Sequence, residues 1–93
     1  MSDARIDGAI QPEAYLHVKY NNQWVNGRLY TLWDIVIVPD DRGNVSFTLP
    51  QGIQARIEFW SEHNGHIDKV LDITIPERER ILLAELEALS TKP

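Results

Sequence analysis

The sequence predicts an all-β sandwich closed by one short helix. Three observations predict it. Apolar and polar residues alternate at period two in several separate stretches. Turn residues, among them Asn26-Gly27, Gly43, Gln51-Gly52 and Asn64-Gly65, punctuate those stretches at intervals of roughly 8–12 residues. After Pro76 the alternation gives way to a leucine stripe at helical spacing.

The opening, residues 1–12, is polar and lacks the long apolar stretch of a signal peptide; it reads as a flexible N-terminal tail. The domain is expected over 13–89. In residues 13–20, Leu16, Val18 and Tyr20 point one way, and Tyr15, His17 and Lys19 the other. Residues 24–32 are less regular; Asn26-Gly27 suggests two short arms paired as a hairpin. Residues 33–38, WDIVIV, are apolar on both faces, so this strand is expected to be covered on both, and Pro39 ends it.

Val45, Phe47 and Leu49 alternate with Ser46 and Thr48 until Pro50. Ile53, Ala55, Ile57 and Phe59 face inward, with Gln54, Arg56, Glu58 and Trp60 outward. In 67–75, Val70 falls out of phase, which predicts a bulge near Lys69-Val70. Pro76 suits a first helical turn, and Glu77 and Glu79 suit the positive N-terminal end. Leu82, Leu86 and Leu89 then share a stripe, so a helix is expected over 77–89, with 90–93 as a tail.

Composition narrows the function. The 93 residues suit one small domain, and 43% hydrophobic with 25% charged is too apolar for a disordered chain. No apolar run approaches the roughly 20 residues of a membrane span, so no membrane partner is expected. Fourteen acids against nine bases give a net charge of -5, which argues against nucleic acid. With no cysteine, disulfides, thiolate zinc and cysteine nucleophiles are excluded. A cytoplasmic or virion location is the expectation.

Chemistry has few candidates. His63 and His66 flank Asn64-Gly65, the preferred centre of a type I′ turn, but a zinc ion needs three or four ligands. A turn is expected there, with no metal and no cofactor. Asp40, Asp41 and Asn44 around Gly43 lack the spacing of an EF-hand loop. No serine sits in a Gly-x-Ser-x-Gly context, so no catalytic residue is named. The aromatics remain. Trp33 and Tyr20 are expected in the core, whereas Trp24, Trp60, Tyr15 and Tyr30 are candidates for an interface.

Residues 41–59, DRGNVSFTLPQGIQARIEF, resemble the Asp-x-x-Gly-x-x-x-Phe-x-Leu-Pro-x-Gly pattern of carboxypeptidase-regulatory-like and related prealbumin-like β-sandwich modules. The matching positions are Asp40 or Asp41, Gly43, Phe47, Leu49, Pro50 and Gly52. The ending, Asp72-Ile73-Thr74-Ile75-Pro76 followed by Ile81-Leu82-Leu83-Ala84-Glu85-Leu86, is similar to the close of small β modules in bacteriophage tail-fibre and head-fibre proteins. The resemblance implies an immunoglobulin-like or prealbumin-like sandwich that is not an enzyme. It implies a structural attachment domain of a virion or tail fibre, docking a protein partner or itself, with a homotrimer as the fibre-like assembly. A carbohydrate-binding or adhesion module, with a glycan partner, is the alternative.

Overall fold

Alternation at period two puts every second side chain on one face of a strand. The computed structural model, which describes residues 3–61 and 65–90, builds nine strands and one helix among those residues. The strands are β1 (Asp3–Ala9), β2 (Ala14–Tyr20), β3 (Gln23–Val25), β4 (Arg28–Tyr30) and β5 (Trp33–Ile37). They continue with β6 (Asn44–Pro50), β7 (Gln54–Ser61), β8 (His66–Thr74) and β9 (Arg80–Leu82), and α1 (Leu83–Ser90) follows. A four-stranded sheet has the order β5-β2-β7-β8, and a three-stranded sheet the order β6-β1-β9. The β3–β4 hairpin stands apart as a two-stranded ribbon. The fold is therefore all-β with a short C-terminal helix.

Both larger sheets feed one core. Leu16 and Val18 of β2, Ala55 and Ile57 of β7, and Leu71 and Ile73 of β8 meet Ala4 and Ile6 of β1 and Val45, Phe47 and Leu49 of β6. Leu83 and Leu86 of α1 close one side. The two turns predicted at Asn26-Gly27 and Gly43 form with positive φ, Asn26 at 51°, Gly27 at 77° and Gly43 at 86°. At Gly43 a side chain is also excluded by space, since a Cβ would lie 2.0 Å from the Ile10 carbonyl oxygen.

Three expectations need correction. Residues 3–9 are no tail. They form β1, the middle strand of its sheet, with Ala4 and Ile6 fully buried. The pattern Ala4, Ile6, Gly8 against Arg5, Asp7 does alternate, but its small residues carry little apolar signal. Gly8 is small because α1 lies close: a Cβ there would come within 2.5 Å of the Leu83 Cβ.

The helix begins at Leu83, not at residue 77. Ahead of it β9 pairs in parallel with β1, Ile81 opposite Ile6. The start signal is Glu85, whose carboxylate accepts the Leu82 N–H at 3.0 Å and so reaches back to the position before the first turn. The tail expected at 90–93 lies, beyond Ser90, outside the described residues.

β5 is not covered on both faces. It is an edge strand, and Ile35 and Val36 are exposed. The bulge expected near Lys69-Val70 is present, at the adjoining Asp68. Phe59 pairs with Lys69 but Trp60 with Ile67, which leaves Asp68 as the extra residue and turns Ile67 to the same face as Val70.

Candidate interaction surface

The outward face of the four-stranded sheet is a grid set by strand register. Across its middle row, Val36, His17, Glu58 and Val70 stand side by side on β5, β2, β7 and β8. One row toward the hairpin are Asp34, Lys19, Arg56 and Asp72. One row the other way are Tyr15, Trp60 and Ile67.

Glu58 is the buried member, 5% exposed although it faces outward. The Trp60 indole N–H donates to its carboxylate at 3.1 Å, and the Lys19 ammonium lies 3.2 Å away. His17 Nδ1 stands 3.4 Å from the same group, while His17 Nε2 engages Asp34 on its other side. Burial pushes the Glu58 carboxyl up. Hydrogen bonds from Trp60 and Lys19, with the charges of Lys19 and His17, outweigh it and leave the group below the ordinary glutamate value. Both ring nitrogens of His17 thus face carboxylates within the sheet face. The cluster acts as a polar brace between β5, β2 and β7.

The four aromatic candidates do not form one patch. Tyr15 and Trp60 are cross-strand partners and stack, with centroids 5.9 Å apart and planes 7° from parallel. Both are half-buried, and Trp60 is tied to Glu58. Tyr30 packs edge-on against Tyr20 at 6.4 Å, with the Arg28 guanidinium over its ring, so it supports the hairpin's inner side. Trp24 alone stands free of the body, 71% exposed, opposite an exposed Leu29.

The hairpin that carries Trp24 is anchored from one residue away. The Gln23 side-chain amide grips the main chain of Gln54, accepting its N–H at 2.8 Å and donating to its carbonyl at 3.0 Å. Val25 rests against Gly52. Trp24, between them in sequence, points the other way because strand side chains alternate.

Residues 62–64, and with them His63 and Asn64, lie outside the described residues. Among the described residues no group of three or more His, Asp or Glu is placed to hold a metal ion. The Asp40 loop is a turn: its carboxylate accepts the main-chain N–H groups of Arg42 and Asn44, each at 2.9 Å, and these bonds hold the carboxyl below its ordinary value. No helix among the described residues is long and apolar enough to cross a membrane. No protein-family model, curated protein or solved structure matches the chain.

Sequence reasoning missed Glu58 and the bare edge of β5. For Glu58 the only signal was an acid opposite a histidine and a lysine on another alternating stretch, and that meaning depends on register. For β5 no local signal exists, because strand order is a property of the whole chain.

Proposed function

We propose that this chain is a non-enzymatic interaction module, built as an immunoglobulin-like or prealbumin-like sandwich and serving as an attachment domain of a phage virion or tail fibre. One observation carries the docking part of the reading: Trp24, 71% exposed, is held out by a hairpin whose opposite side is pinned to the body. A large indole kept in water beside an exposed Leu29 is poorly placed for stability and well placed to enter a partner's pocket. The similarity of the Phe-x-Leu-Pro-x-Gly centre and the Ile-Pro close to fibre modules directs the reading to a virion. No bond chemistry is assigned to the surface.

The test has two parts. An antibody against the chain should decorate phage particles in electron micrographs of a culture that produces it; its absence from every particle would end the virion reading. Virion proteins that the wild-type domain binds should be bound at least about tenfold more weakly by Trp24→Ala at unchanged melting temperature. Equal binding by both would remove the hairpin from the interface. The alternative, a carbohydrate-binding or adhesion module, predicts instead a glycan-array signal that Trp60→Ala abolishes.

A further inference from the structure

Sheet edges expose unpaired backbone N–H and C=O groups, and soluble proteins guard them with charges, prolines, bulges or brevity. Three of the four edges of the two larger sheets are guarded here. β8 carries Asp68, Lys69 and Asp72 and is bulged at Asp68. β9 is three residues long, begins with Arg80 and runs straight into α1. β6 alternates its core residues with polar Ser46 and Thr48 and ends in Pro50.

β5 is the least guarded of the four, with one charge, no bulge and a proline only beyond its end, at Pro39. Its register with β2 is unbroken from Trp33 to Ile37, it contains no lysine, arginine or proline, and no strand lies on its other side among the described residues. Its one charge, Asp34, is engaged by His17. Ile35 is 39% exposed, Val36 52% and Val38, just past the strand, 73%. The β3–β4 hairpin, though adjacent in sequence, forms no ladder with it, and β6 of the other sheet approaches it without pairing.

We propose that β5 is the seam of a homodimer, in which two copies pair antiparallel, edge to edge, about a two-fold axis. This goes beyond the attachment function, which rests on a different surface. A strand that is apolar on both faces needs a partner strand of the same kind, and β5 itself meets that description. A two-fold contact also requires a patch that is complementary to itself. An axis at Val36 sets Asp34 opposite Val38 of the other copy, not opposite another acid. An axis at Asp34 would oppose two carboxylates and is disfavoured. The result is one continuous eight-stranded sheet, with the brace of Glu58, His17 and Asp34 on each side of the seam.

The test is solution mass by size-exclusion chromatography with light scattering, from micromolar to near-millimolar chain, with amide hydrogen exchange on the same samples. The expected result is a dimer at the upper end, with protection of Trp33–Ile37 that rises with concentration. Val36→Lys should weaken the dimer by roughly tenfold or more, because two lysines meet at the seam, while the melting temperature stays within a few degrees. A monomer throughout, a trimer, or a dimer that a folded Val36→Lys leaves intact would overturn the proposal. If that variant does not fold, the exchange data decide: protection of Trp33–Ile37 that ignores concentration overturns it equally. Trp24→Ala should leave the dimer unchanged, so loss of the attachment reading and loss of the seam are separately visible.

Discussion

Glu58 is where single residues matter most in this protein. Its carboxylate is taken out of water and repaid by Trp60, Lys19 and His17. Replacement by glutamine keeps the shape and removes the charge; about 1–2 kcal/mol of stability should go with it at neutral pH. The pH dependence has a definite sign. A folded value below the ordinary 4.5 means the stabilisation is complete above that pH and is lost as pH falls through the lower folded value. Urea midpoints of wild type and Glu58→Gln should therefore converge below about pH 4.5. A gap that stays constant into acid would show that the charge itself contributes nothing. Gly8 gives a second test at this scale. A Cβ there would meet the Leu83 Cβ at 2.5 Å, and Leu83 is buried, so Gly8→Ala should cost about 1–3 kcal/mol by denaturant unfolding.

At the scale of elements, β1 has the most consequence. It lies between β6 and β9 and brings Ala4 and Ile6 to the core, so deleting residues 1–9 should abolish cooperative unfolding rather than trim a tail. A truncated chain with unchanged circular dichroism and melting temperature would contradict the strand. The helix depends on a small device. Glu85 accepts the Leu82 N–H and also pairs with Arg78 at 2.9 Å, tying the first turn to the segment before β9. Glu85→Ala should cost about 1 kcal/mol, measured as a lower urea midpoint, in the range of other helix-start contacts. The hairpin is the opposite case: its outer residue, Trp24, can be removed with less than about 0.5 kcal/mol change in folding stability.

For the whole molecule, the net charge of -5 opposes any contact between copies. Screening weakens that repulsion. The two-fold pairing through β5 should thus tighten as salt rises, measured as a falling dimer dissociation constant in sedimentation experiments. A contact that loosened with salt would need complementary charges, which β5 lacks. The surface as a whole is divided by task. The face centred on Glu58 is braced within itself, the β5 edge offers unpaired backbone with exposed Ile35 and Val36, and the hairpin projects Trp24.

The sequence by itself determined the class of fold, most strand positions, the turns at Asn26-Gly27 and Gly43, and the inward faces, because period-two alternation and positive-φ residues are local properties. It also marked Trp24 as hard to place in a core. Tertiary structure alone decided the rest. β1 is a strand because β6 and β9 flank it, and residues 80–82 extend because β1 offers them a ladder where helix was expected. β5 is an edge only because, among the described residues, no other strand pairs along its free side, and its own residues read equally well as a buried strand. Tyr30 packs inward because Tyr20 is there to receive it, and Trp60 is half structural because register sets it beside Tyr15 and Glu58 two residues before it supplies an acceptor. Each of these depends on which distant segments meet, and alternation along one strand carries no information about its neighbour.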